Sequence, residues 1–131
     1  MVRAYTVGTA ALTLHVRPKW VDNVLSHYHL PGVQQRHQGV SRRLSPDGIL
    51  ILALAQSLIE NLGTPTGRAV ELVIEMTKNH GRYDFQRSGL SVAFDLPQFR
   101  AQLLTRLEAA VEIAPAPKRG RPAANKTGRP E

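Results

Sequence analysis

The 131-residue sequence contains no cysteine and few aromatic side chains. Without cysteine, disulfides, thiolate chemistry and the usual structural zinc sites are excluded, which favours a reducing cytoplasm. Aromatic residues make up 5% of the chain, so the core must rest on aliphatic side chains, and helix is favoured over sheet. The longest apolar run, residues 49–55, is far shorter than the roughly 20 residues that span a bilayer. We expect a cytoplasmic protein with a single core and no membrane segment.

Acidic residues are scarce at both ends of the chain. Residues 1–43 hold six basic side chains against Asp22 alone, whereas residues 44–114 hold six basic and eight acidic ones. Residues 115–131 hold five basic side chains and one acidic one, and the whole chain carries a net charge of +7. Segregated cations attract polyanions and release condensed counterions on binding, although basic tails also serve solubility. The pattern predicts double-stranded DNA as the partner and a nucleoid-associated location.

Two short helices are predicted near the start of the chain. Thr6 is placed to cap a helix over residues 7–14, and Pro18 suits the first position of a second helix over residues 18–28. On the second helix Val21, Val24, Leu25 and Tyr28 form an apolar stripe, and the opposite face carries Lys19, Asp22, Asn23, Ser26 and His27. We expect Trp20 to be a core anchor. Two short helices joined by about three residues predict a helix-turn-helix, whose second helix enters a major groove.

The remaining sequence predicts a mainly α fold with small β-hairpins. The predicted elements are a hairpin over residues 33–44 that turns at Gln38-Gly39, a third helix from a Ser45 cap to a Gly63 stop, a fourth helix between Thr64-Pro65 and Asn79, a second hairpin from segments 82–86 and 90–94, and a fifth helix over 96–112 capped by Asp95. The third helix is apolar almost all round, so it is either central or covered by a partner chain.

The order of these elements resembles the winged helix-turn-helix domain of the MerR family over residues 5–76. Residues 5–8 resemble that family's opening, Val16 its turn valine, residues 42–45 the exit of its wing, and residues 60–63 the junction of its third and fourth helices. The resemblance implies a DNA-binding domain over residues 1–81, with the 33–44 hairpin as the wing. Asp22-Asn23-Val24 replaces the family's usual arginine and aromatic residues, and no long dimerisation helix or effector pocket is evident. A stand-alone regulator or a phage excisionase-like module is therefore implied.

The C-terminal tail, residues 114–131, resembles an AT-hook. Its Arg-Gly-Arg-Pro core consists of Arg119, Gly120, Arg121 and Pro122, preceded by Lys118. Two arginines flanking a residue without a side chain can lie in a narrow A·T minor groove, where the potential is most negative. We expect this tail to be an unfolded arm that follows a Pro-rich linker.

These patterns predict a set of DNA-binding residues. Lys19, Asn23 and Ser26 are the candidates for reading base edges, with Arg17 and His27 beside them. Arg36, Arg42 and Arg43 on the wing would bind phosphate, and Lys118, Arg119, Gly120, Arg121 and Pro122 would enter the minor groove. We expect no metal, because the histidines lack suitable spacing and acidic neighbours, and we expect no cofactor and no small-molecule effector.

No nucleophile triad, phosphate-binding glycine loop or carboxylate pair is evident, so we expect a non-enzymatic protein. The interpretation is a small transcriptional regulator that reads DNA with helix 18–28. One alternative is a nucleoid-organising or recombination-directing protein, and another is a protein-interaction adaptor such as an antitoxin-like or anti-defence factor. The third helix and residues 82–113, a β-hairpin plus helix, are candidate surfaces for a homodimer, cooperative self-association or a partner.

Overall fold

The computed structural model describes residues 4–34, 42–86 and 88–113. Over these residues the chain is mainly helical, with two small antiparallel sheets, which confirms the predicted mainly α class. The elements are β1 (Tyr5–Thr6), α1 (Val7–Leu14), α2 (Pro18–His27), β2 (Val33–Gln34), β3 (Arg43–Leu44), α3 (Pro46–Leu62), α4 (Thr66–Lys78), β4 (Arg82–Phe85), β5 (Leu90–Ala93) and α5 (Leu96–Ile113).

Local capping sets the boundaries of α1 and α2. The Thr6 hydroxyl accepts a hydrogen bond from the Thr9 amide at 3.1 Å, so α1 begins where the sequence predicted. His15 adopts a left-handed conformation, with φ of 58°, and its amide donates to carbonyls of the last turn, which ends the helix. Pro18 then opens α2 after a three-residue connection. The chain therefore turns over residues 15–17, and α1 packs against α2.

The apolar stripe of α2 faces the core as predicted. Val21 and Val24 are buried, while Leu25 and Tyr28 are half-buried against the same cluster. Trp20 is also half-buried and packs on this cluster, which agrees with a core anchor. The Tyr28 ring lies so close to α4 that a Cβ added to Gly67 would come within 2.7 Å of the Tyr28 hydroxyl. The apolar side of α2 is thus packed against the core and α4, and its polar face is left exposed.

Helix α3 is the centre of the molecule. Ser45 caps its first turn by accepting from the Gly48 amide at 3.3 Å, and Gly63 ends it with φ of 68°. Every residue from 49 to 55 is buried. The Gln56 side chain donates to the Leu14 carbonyl at 3.0 Å, so it satisfies a free carbonyl at the end of α1. Most of the apolar surface of α3 is therefore covered within the chain itself, although Leu62 in its last turn is 62% exposed.

A three-stranded antiparallel sheet in the order β1-β3-β2 joins the start of the chain to the first hairpin. Leu44 of β3 lies opposite both Tyr5 and Val33, and it is fully buried. Strand β1 was not predicted, because two residues next to a helix cap carry no strand periodicity of their own. The Ser45 amide donates to the Gly32 carbonyl at 2.7 Å, which attaches this sheet to the start of α3.

The C-terminal elements complete the same core. Helix α4 buries Ala69, Val70, Val73 and Met76, as predicted, and strands β4 and β5 form the predicted second hairpin. Asp95 caps α5 by accepting from the Gln98 amide at 3.1 Å. Leu103 and Leu107 of α5 belong to the main core cluster, and α5 packs chiefly against α1. The division at residue 82 stays a prediction, although the core is continuous across it.

No helix in the described parts of the chain is both long enough and apolar enough to cross a bilayer.

Candidate nucleic-acid interface

The polar face of α2 is the exposed surface on which the sequence placed base-reading residues. Its five side chains are all exposed. At about 100° per residue, their order around the helix is Asp22, Ser26, Lys19, Asn23 and His27. Two of them bond back to their own helix: the Ser26 hydroxyl donates to the Asp22 carbonyl at 2.8 Å, and His27 Nδ1 donates to the Asn23 carbonyl at 2.8 Å. The Ser26 hydrogen is therefore already used, and an incoming base would meet only an acceptor there.

Arg42 connects the first hairpin to this face of α2. Its Nη1 lies 3.4 Å from Asp22 Oδ1, and its Nη2 donates to Ser26 Oγ at 3.3 Å. Its side chain is 25% exposed, against 52% for Asp22. The sequence predicted only phosphate binding for Arg42, because the contact joins residues that are 20 positions apart. In the sequence, the polar residues at positions 22 and 26 indicated that this side of α2 could make a polar contact. They did not indicate which residue would make it.

Arg42 divides the polar face of α2 into a part that it contacts and an open part. The contacted part is the edge formed by Asp22 and Ser26, which are themselves still exposed. The open part carries Lys19, Asn23 and His27, with Nε2 of His27 left without a bond among the described residues. An amide, an ammonium and an imidazole together offer the donors and acceptors that base edges require. Ser26, whose hydroxyl donates to the Asp22 carbonyl and accepts from Arg42, keeps one acceptor position, and its role in reading bases stays a prediction.

Three further cations lie just before α2, on α2 and on the hairpin base, which we define as β2, Arg42 and β3. Arg17 precedes α2 and makes no side-chain capping bond. Within the described ranges, no carboxylate lies within ion-pair distance of Arg17, Lys19 or Arg43. Arg43 is half-exposed on β3, opposite Thr6 and Gln34. These cations keep their charge available to an external anion.

Cations in the rest of the described chain are mostly paired. The pairs are Arg68–Glu71 at 3.5 Å, Lys78–Glu75 at 3.6 Å, Arg82–Asp84 at 2.8 Å and Arg100–Asp47 at 3.7 Å. These pairs are exposed, so they contribute little to stability. They do neutralise the charge of α4, the second hairpin and α5 locally. The contrast leaves α2 and the hairpin base as the electropositive side of the described molecule.

Several predicted contacts lie outside the described residues. They are Arg36, in the segment predicted as the first hairpin, and the tail residues Lys118, Arg119, Gly120, Arg121 and Pro122. The turn predicted at Gln38-Gly39 lies outside them too. The described part of the interface therefore consists of α2 and the hairpin base.

Two grooves lie away from this surface. One, of about 860 Å³, is wide and open, and runs between the end of α4 and strand β4, where Glu75, Arg82 and Tyr83 line it. The other, of about 210 Å³, lies between α3 and α5 and is lined by leucines and the Asp47–Arg100 pair. In the portions of the chain that are described, no three histidine or acidic side chains come together as metal ligands would. Neither groove carries a recognisable catalytic arrangement of side chains.

Comparison with protein-family models, curated proteins and solved structures finds no match. The likeness to the MerR family therefore rests on the short motifs of this sequence.

Proposed function

We propose that the chain is a DNA-binding protein that places α2 in a major groove and the first hairpin on neighbouring phosphates, as a winged helix-turn-helix does. Helices α1 and α2 follow one another through a three-residue turn, which is the spacing of that motif. The hairpin base lies next to the polar face of α2 rather than on the far side of the domain. A major groove of B-DNA, about 12 Å wide, admits a helix with its side chains.

The observation that carries the proposal is the contact of Arg42 with both Asp22 and Ser26. Through it the hairpin base and the polar face of α2 form one continuous surface. Arg17, Lys19 and Arg43 add three further cations, none of which is within ion-pair distance of a carboxylate in the described ranges. Duplex DNA carries one negative charge per about 1.7 Å of axis, so a contiguous cationic surface gains affinity by releasing counterions.

Each residue of this surface has a chemical role in the proposal. Lys19 can donate to guanine or to a phosphate, and the Asn23 amide can donate to and accept from an adenine edge. His27 offers Nε2, which makes no hydrogen bond within the described part of the chain, at the far edge of the same face. Arg43 and Arg17 bind phosphate and fix the register without reading sequence. The tail residues 118–122 extend the contact into an adjacent A·T minor groove.

A salt series tests the proposal. Fluorescence anisotropy of the full chain with a random duplex should show affinity that falls steeply with salt, with a slope of about 0.9 per phosphate contact. Arg43→Ala should weaken binding to all duplexes and lower that slope by about 1. Arg106→Ala is the matched control, because it removes the same charge from an exposed position on α5. No binding at low salt, or equal losses in the two variants, would contradict the proposal.

Transcriptional regulation is the use we propose for this DNA binding. A regulator occupies a few discrete sites, whereas an architectural protein covers long stretches of DNA. Footprinting on genomic DNA separates the two, because discrete protected sites support regulation and continuous protection supports a nucleoid-organising or recombination-directing role.

A second candidate, a protein-interaction adaptor, is favoured by two exposed leucines in segment 82–113. Leu90 of β5 is 55% exposed and Leu104 of α5 is 52% exposed. Light scattering of the wild type and of Leu90→Ser and Leu104→Ser variants tests whether this side self-associates, as small DNA-binding modules often do. If both variants bind DNA like the wild type but lose self-association, the segment serves assembly. If the wild type binds no DNA, the adaptor becomes the better proposal.

A further inference from the structure

Asp22 is an anomaly on the proposed DNA-binding surface. It is the sole acidic residue among positions 1–43, and its side chain is 52% exposed on the polar face of α2. A carboxylate that faces a phosphate backbone repels it, so an isolated aspartate here would lower affinity for every sequence. Its position therefore calls for a compensating role.

The contacts of Asp22 supply that role. Its carboxylate pairs with Arg42, and its backbone carbonyl accepts from Ser26. Because the Ser26 hydrogen points to that carbonyl, the Ser26 oxygen is left as an acceptor for the second nitrogen of Arg42. Asp22 and Ser26 thus bind the Arg42 guanidinium through two of its nitrogens. Arg42 immediately precedes strand β3.

We infer that Asp22 and Arg42 are positioning residues that fix the hairpin base against α2, so that Asp22 strengthens DNA binding despite its negative charge. This inference rests on the proposed function. It also reassigns Arg42, whose charge is already matched by Asp22, so phosphate binding falls to Arg43 and Arg17. Lys19, Asn23 and His27, on the open part of the polar face, are then the residues that contact base edges.

The expected change in DNA affinity is opposite to the one that charge repulsion alone predicts. Asp22→Asn raises the net charge by one, so a purely repulsive Asp22 predicts tighter binding and a steeper salt dependence. The positioning pair predicts weaker binding by about two- to fivefold, the range of exposed ion pairs, with an unchanged salt slope. Asp22→Glu should restore most of the affinity, because it keeps a carboxylate within reach of Arg42.

A double-mutant cycle with Arg42→Gln isolates the pair. If the two residues act together, Asp22→Asn costs nothing further once Arg42 has been replaced. If they act independently, the two effects add, and the inference fails. Asp84→Asn is the control, because it breaks an exposed ion pair with the same charge change on the second hairpin.

Amide hydrogen exchange without DNA provides a second readout. Asp22→Asn should speed exchange at Arg43 and Leu44 relative to α3 and α4, because the hairpin base loses its tie to α2. Unchanged exchange there, or tighter DNA binding by Asp22→Asn, would overturn the inference while the proposed function stands. Absence of DNA binding by the wild type would instead overturn the proposed function.

Discussion

Replacing Gly32 by alanine tests how the first hairpin is attached to the central helix. Gly32 has φ of 81°, and its carbonyl accepts from the Ser45 amide at 2.7 Å. A Cβ at this position would collide with Ser45 Oγ and come within 2.7 Å of the Gly48 amide nitrogen. The substitution therefore strains the backbone and displaces the side chain that caps α3.

The magnitude follows from these two effects. Left-handed backbone costs a residue with a Cβ roughly 1–2 kcal/mol, and loss of a serine cap costs about 1 kcal/mol. We therefore expect Gly32→Ala to lower the free energy of unfolding by roughly 2–3 kcal/mol. Gly63→Ala is the matched control, because Gly63 has φ of 68° but no atom within 4 Å of an added Cβ. It should lose only the backbone contribution.

Urea unfolding followed by circular dichroism measures both variants against the wild type. Gly32→Ala should have a midpoint clearly below that of Gly63→Ala. It should also bind duplex DNA more weakly at temperatures where both variants are folded, because the hairpin base has moved. Equal losses of stability would refute the view that a close backbone contact holds the hairpin on α3.

Three further predictions concern base reading, the tail and the core. Asn23→Ala should change the preference among duplex sequences, measured by competition binding, whereas a uniform loss of affinity would argue against a base contact. Deleting residues 115–131 should weaken binding mostly on A·T-rich duplexes. An equal loss on G·C-rich duplexes would mean that the tail contributes only through its positive charge. Leu107→Ala should destabilise the whole chain by about 2–5 kcal/mol in one cooperative transition, while Leu104→Ala, at an exposed position, should leave stability nearly unchanged.

Helix boundaries could be predicted from the sequence because their chemistry is local. The side chains of Thr6, Ser45 and Asp95 each accept from an amide three residues further on. The Gly63 amide donates to carbonyls four and five residues before it, so in every case a short stretch of sequence contains the whole interaction. The buried positions of α2 and α4 followed from helical periodicity for the same reason. The central position of α3 was one of two alternatives, since an apolar surface does not say whether its own chain or another covers it.

Tertiary contacts could not be predicted in this way. Strand β1 exists because Tyr5 and Thr6 lie beside Leu44 and Arg43, almost forty residues away in the chain. The contact between Arg42 and Asp22 likewise depends on how the hairpin lies across α2. Sequence periodicity identified the polar face of α2, but the part of it that stays open is set by that long-range contact.

The central claim is that α2 and the hairpin base form the DNA-binding surface. The most direct measurement is the change in backbone amide chemical shifts when the 14.5 kDa chain is titrated with a short random duplex. We expect the largest changes at Lys19, Asn23 and Arg43, with α4 and the exposed side of α5 nearly unchanged. Changes concentrated on the second hairpin and α5, or no changes at low salt, would contradict it.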